Sequence, residues 1–216
     1  MHIKKYTKWY TQGVSSLNHI LNPMTQFQPK TFSISALVGI SQTNIDEHLK
    51  LYQGYVKHAN LILEKIEVLS TSPEENAYVI GELRRRFGFE YCGMKNHEYY
   101  FSQFEGAPTA FATDSILSQK INATFGSFEN WQKEFNTLAM TRGVGWAMLY
   151  QDGDGNLLNA WVDEQHLGQL ATCTIILALD MWEHAFVYDY PTSEKKKYVE
   201  AFFKNLNWSV VEARLK

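Results

Sequence analysis

Two long amphipathic patterns separated by a few polar residues constrain this chain most. The first opens at Ser41 or Thr43, either of which can cap a helix, with Asp46 and Glu47 in the first turn. Apolar and aromatic side chains then recur through Leu49, Tyr52, Val56, Leu61 and Ile66. Ser70-Thr71-Ser72-Pro73 breaks this pattern, and Glu74 and Glu75 mark the next start. A second stretch runs through Ile80, Leu83, Phe87, Tyr91, Met94 and Phe101 and stops near Gly106 and Pro108. So short a break turns the second helix back along the first, which predicts an antiparallel helical hairpin.

The second half changes period. Helices are expected over roughly residues 113 to 125 and 129 to 141, the latter capped by Ser127 with Glu129 just inside. Gly145-Trp146-Ala147-Met148-Leu149-Tyr150, then Asp152-Gly153-Asp154-Gly155-Asn156, then Leu157-Leu158-Asn159-Ala160-Trp161-Val162 read as strand, tight turn and strand. The Asp-Gly pairs supply the positive-φ positions of a hairpin. Thr174 to Leu179 reads as a third strand and Ser193 onward as a terminal helix. The expected class is α+β: an N-terminal antiparallel helical hairpin over 31–112, then a small α+β domain with a three-stranded antiparallel sheet over 113–216. Residues 1–30 read as a basic, acid-poor extension, because Lys4, Lys5, Lys8 and Lys30 precede the first acid, Asp46.

Charge and cysteine content narrow the function classes. Twenty basic against twenty-three acidic residues give a net charge of -3, so nothing favours nucleic acid as a partner. The longest apolar run, Thr174 to Leu179, is far short of the ~20 residues of a membrane span. The amino terminus lacks the apolar centre and cleavage site of a secretory signal, and it has no Arg for a transit peptide. Cys92 and Cys173, the only two cysteines, read as buried free thiols; a disulfide framework is excluded and a reducing, cytoplasmic setting expected. The 14% aromatic content requires deep burial or a site to line.

Chemistry concentrates in Asp180-Met181-Trp182-Glu183-His184. An Asp-x-x-x-His spacing can put both side chains on one side of a single turn, and a carboxylate emerging from an apolar strand must be paired or bound to a cation. A buried ion pair is the alternative use. His48 and His97 sit within the two long helices, where a hairpin can bring them together. Three imidazoles and one carboxylate suit iron, manganese or zinc.

Asp180-Met181-Trp182-Glu183-His184-Ala185 resembles the signature of the iron/manganese superoxide dismutases. The likeness extends to Asn96-His97, Gly143-Val144-Gly145-Trp146 and Leu206-Asn207-Trp208, and covers roughly residues 31–216. The resemblance implies one Fe or Mn ion per chain on His48, His97, Asp180 and His184 at the junction of the halves, with solvent as fifth ligand. It implies ping-pong conversion of superoxide to dioxygen and hydrogen peroxide. Tyr55, two helical turns after His48, fits the family's tyrosine at the substrate entrance, although an ordinary core tyrosine has the same spacing. Gln165, fifteen residues before Asp180, falls where the family bonds the metal-bound solvent; His166 is its rival, and Gly93 leaves room for a donor from the later position. Trp146 and Trp182 would wall the site. Glu183 would reach His184 of a second subunit, which implies a homodimer.

The sequence also departs from the family. His48 to Tyr55 is one residue shorter than usual and lacks the family's intervening His pair, having Leu51 and Tyr52 there; a helix without the family's bulge is therefore expected. Val187 replaces a tyrosine that bonds one of that pair across the interface, so partners are lost together. Met148 stands where a second Trp is frequent, and the Arg common after the last ligand has no match near Lys195-Lys196-Lys197. Those lysines and Arg84-Arg85-Arg86 read as solvated helical faces, with steering of superoxide as the alternative. The alternatives to an active dismutase are a metal-free scaffold acting as an interaction subunit and a non-haem iron oxygenase; the oxygenase fits poorly because a facial triad leaves more positions open.

Overall fold

The computed structural model describes residues 26–216. The first 25 residues of the expected extension, with Lys4, Lys5, Lys8, His2 and His19, lie outside the described residues. Helix α1 spans Gln42–Leu69 and α2 spans Ala77–Ser102, packed as the antiparallel pair the short break demands. Ser41, not Thr43, caps α1, its hydroxyl accepting from the Asn44 N–H at 3.2 Å. The α1 hydrogen-bonding pattern is regular throughout, as the shortened His48 to Tyr55 spacing predicts. Its buried face carries Ile45, His48, Tyr52, Val56, Ala59 and Ile62; Leu61, expected on that face, is exposed. Glu74 and Glu75 belong to the turn rather than to the helix start, because α2 begins only after Asn76.

Residues just before α1 pack on the hairpin. The Asn60 side chain exchanges two 2.8 Å hydrogen bonds with the backbone of Phe27, the Lys30 N–H donates to the Tyr52 hydroxyl at 2.8 Å, and Phe27 meets Tyr91 edge-on. Two shorter helices follow, α3 (Ile116–Phe125) and α4 (Phe128–Ala139), capped by Ser115 and Ser127. The start of α3 is three residues later than expected from Thr113, at the residue after its serine cap.

Strands β1 (Gly145–Gln151), β2 (Leu157–Asp163) and β3 (Thr174–Asp180) form one antiparallel sheet in the order β2-β1-β3. Asp152 builds the turn between β1 and β2: Oδ1 accepts from the N–H groups of Asp154 and Asn156, and Gly155 takes φ +86°. Central β1 is buried at every position. The β1–β3 register shifts between Leu149 and Tyr150, leaving Ile176 as an extra residue. Arg214 occupies that irregularity. Its guanidinium donates to the carbonyls of Ile176 and Tyr99 at 2.8 and 2.7 Å, so a half-buried cation, with no carboxylate partner among the described residues, bridges β3 to the carboxyl end of α2. Burial holds its pKa down to about 10. Gln103 completes the outer edge of β3, donating to Ala178 O at 2.6 Å.

The chain ends in a short 3-10 turn at Thr192–Glu194, then α5 (Lys195–Lys204) and α6 (Trp208–Glu212). The single helix expected from Ser193 is thus broken, at Asn205 and Leu206. Among the described residues no helix is long and apolar enough to cross a membrane. Both cysteines are free and half-buried.

Candidate metal centre

The hairpin and the sheet meet where α1 and α2 cross the end of β3, and four side chains converge there. His48 comes from the buried face of α1 and His97 from that of α2. Asp180 is the last residue of β3, held in register opposite Trp146 at the start of β1. His184 lies in a 3-10 turn over Glu183–Ala185. Asp180 and His184 therefore do not share one helical turn, as their spacing suggested. The Trp182 N–H donates to Asp180 Oδ1 at 2.9 Å and folds the chain back, which brings the His184 ring over the strand end.

The free oxygen of Asp180 is the focus. Its Oδ2 lies 3.2 Å from His48 Nε2, 3.6 Å from His97 Nε2 and 3.1 Å from His184 Nε2, and one ligand atom from each residue falls within 4.8 Å of every other. His48, His97 and Asp180 are essentially inaccessible, whereas 23% of the His184 side chain is exposed. Among the described residues, the Nε2 atoms of His48 and His97 have no hydrogen-bond partner. Two buried unpaired nitrogens facing a shared carboxylate oxygen are costly unless a cation takes their lone pairs. The donor set thus fits a single Fe or Mn ion. The His97 tautomer is fixed from behind, because Nδ1 lies 2.6 Å from Gly93 O and must carry the proton, leaving Nε2 to face Asp180.

Burial pushes the imidazole of His97 well below its ordinary pKa and that of His48 below it, despite the pull of Asp180 on His48. Burial alone would raise the Asp180 carboxyl, but the neighbouring imidazoles of His184 and His48 overcome it and hold the group below the usual carboxylate range. All three shifts act on stability in one direction. An unfolded chain protonates these imidazoles near pH ~6.5 and the carboxylate near ~4, above their folded values, so the unfolded state binds more protons as pH falls. The melting temperature of chelator-stripped protein is therefore expected to fall steadily from pH 7.5 to pH 4; a level profile would contradict this.

Around the ligands, Trp146 meets the His97 ring edge-on at 5.1 Å and Trp182 stacks on His184 at 5.7 Å. Tyr55 tilts over His97 at 5.0 Å. Gln165 is completely buried and joins these elements. Its Oε1 accepts from Trp146 Nε1 at 3.0 Å, its Nε2 donates to the Tyr55 hydroxyl at 3.0 Å, and its carbonyl accepts from the Asn96 side chain at 2.8 Å. Gln169 then donates to Asn96 Oδ1 at 2.8 Å. His166 is elsewhere, edge-on to Phe89 and against Gly88. Gly93 makes room for the Tyr55 ring rather than for Gln165: a Cβ there would stand 2.5–3.0 Å from three ring atoms of Tyr55. Glu183 is exposed and joins none of these groups within the chain. Sequence reasoning missed Gln169, Phe89 and Glu90, whose roles depend on the close approach of α2 to Tyr55 and to the loop after β2.

Three imidazoles and one carboxylate placed to hold a single ion, at the seam between a helical hairpin and a small antiparallel sheet, define the class of mononuclear metalloproteins of α+β architecture. Residues 113–214 match the family model for the C-terminal domain of iron/manganese superoxide dismutases. The chain is 33% identical to a protein named superoxide dismutase [Fe] from Cupriavidus metallidurans over 195 residues, which is 88% of this chain and 95% of the relative. It is 31% identical to one of the same name from Aquifex pyrophilus, covering 91% of each chain. The chain belongs to the iron/manganese superoxide dismutase family.

Proposed function

We propose that this chain dismutates superoxide to dioxygen and hydrogen peroxide at a single Fe or Mn ion held by His48, His97, Asp180 and His184. The observation that carries the reading is the pair of buried, unpartnered Nε2 atoms aimed at one oxygen of Asp180. An iron or manganese ion bound there supplies the one-electron change that lets one superoxide leave as dioxygen and the next as hydrogen peroxide. Asp180 contributes a negative charge to offset that of the ion, and Trp182 fixes its orientation. Gly93 O sets the proton of His97.

Proton handling falls to Tyr55, Gln165 and Trp146. An indole N–H can only donate, so it fixes Gln165 Oε1 as acceptor and turns the Gln165 amide N–H toward Tyr55. The Tyr55 oxygen accepts that bond, which leaves its own O–H free to donate to solvent or substrate. Burial pushes the Tyr55 pKa up, so the hydroxyl keeps its proton at neutral pH. Trp146 and Trp182 limit water around the ligands. A homodimer fits the exposure of Glu183 together with Val187 and Tyr188, 49% and 57% exposed on the following turn. In that arrangement Glu183 pairs with His184 of a second copy. A cytoplasmic setting fits the two free thiols.

The test is bound metal by mass spectrometry and superoxide decay by stopped flow, on separately iron- and manganese-loaded protein. Activity with at least one ion at one ion per chain is expected. Stoichiometric metal without dismutation in either form would sink the reading, and sedimentation of the same samples tests the dimer. The metal-free scaffold has nothing in its favour, since it leaves those nitrogens uncompensated.

A further inference from the structure

The three consecutive arginines of α2 have three different settings. Arg84 is exposed, and Arg85 pairs with Glu82 at 2.7 Å on the solvent side, with 72% of its side chain exposed. Arg86 turns the other way. Its guanidinium lies 3.8 Å over the Phe89 ring, and both Nε and Nη2 donate to Glu90 Oε1 at 2.8 Å. Glu90 is only 7% exposed, against 52% for the Arg86 side chain. Phe89 lies 6.0 Å from Tyr55, between Tyr55 and His166.

Helical spacing places this pair beside the metal centre. Glu90, Gly93 and His97 are three and four residues apart, so they line one face of α2, with the Tyr55 ring seated on Gly93. A nearly buried carboxylate next to the substrate's entrance tyrosine would repel an anion, in a chain that already carries net charge -3. We propose that Arg86 neutralises Glu90 and thereby keeps the approach past Phe89 and Tyr55 open to superoxide. This rests on the dismutase reading. Arg86 acts through Glu90 and through the local field, so it is a positioning residue, and the ionic Arg86–Glu90 pair is the unit that matters rather than the run of arginines.

The test uses metal-loaded Arg86→Gln, Glu90→Gln, the double variant, Arg86→Lys, and Arg85→Gln as control. For Arg86→Gln, kcat/KM is expected to fall about five- to tenfold at low ionic strength with kcat unchanged, because unit charges this close to a low-dielectric entrance interact strongly. Its kcat/KM should rise with added salt, opposite to steering by a cation. The double variant and Arg86→Lys should return toward the parent, and Arg85→Gln should match it.

Azide affinity of the iron-loaded forms gives a readout separate from turnover. Its Kd should increase by a similar factor in Arg86→Gln and recover in the double variant. An unchanged azide Kd and salt slope in Arg86→Gln, or a loss that the double variant fails to repair, would overturn the proposal. Absence of dismutation in the parent, with the azide pattern as described, would instead overturn the activity reading while upholding the role of Arg86.

Discussion

Asp180→Asn is expected to yield a folded protein that no longer retains one metal ion per chain and whose dismutation falls by more than about 100-fold, beyond the loss typical of a supporting partner of a metal ligand. Asn keeps the size of the side chain and an oxygen to accept from the Trp182 N–H, so the turn that presents His184 can persist. What disappears is the charge on the oxygen toward which three Nε2 atoms converge at 3.1–3.6 Å. The chelated variant should melt below the chelated parent at neutral pH, since it lacks the carboxylate held ionised by His184 and His48, and the increment that metal adds to the parent should vanish, because only binding to the folded state produces it. Mass spectrometry of bound metal and paired melting curves read this directly. Full metal occupancy and parental activity in Asp180→Asn would remove Asp180 from the ligand set.

Gln165→Leu is the second large effect. Gln165 is fully buried, and leucine fills similar volume but can neither accept from the Trp146 indole nor donate to Tyr55. The Trp146 N–H is then left buried without a partner, and together with the lost Tyr55 bond this should destabilise the protein by about 2–3 kcal/mol. For a chain of this size that lowers the melting temperature by about 5–10 °C. Turnover should fall by about 10–100-fold with the ligands intact, since Tyr55 loses the bond that fixes its proton. The Gln165 carbonyl still accepts from Asn96, so the loop after β2 keeps its place and bound metal is retained. A variant equal to the parent in stability and turnover would show that Trp146, Gln165 and Tyr55 only pack.

The hairpin was legible because its signals are local. Ser41 and Ser127 cap helices that start one residue later, apolar spacing follows one helical face, and Asp152 with Gly155 turns the chain within five residues. The strand boundaries were legible for the same reason. Boundaries failed where tertiary demands prevailed. Glu74 and Glu75 remain in a turn, and the terminal helix breaks at Asn205, whose side chain caps Ala201 O and pairs with the backbone of Val38.

The site divides similarly. The residue types of His48, His97, Asp180 and His184, and the apolar segments that carry them, are properties of the sequence alone. Their donor chemistry and burial can be argued before any fold is known. The sequence could not decide between Gln165 and His166, adjacent and both capable of hydrogen bonding. In the folded chain Gln165 faces Tyr55 and Trp146, while His166 lies against Phe89 and Gly88. Nor could it separate Arg86 from Arg85, whose neighbours differ only once the α2 face bearing Glu90 is turned toward Tyr55. Local spacing determines which side chains share an element, because backbone geometry repeats; which atoms meet across elements depends on packing between distant segments, and here that packing decided Gln165 over His166 and Arg86 over Arg85.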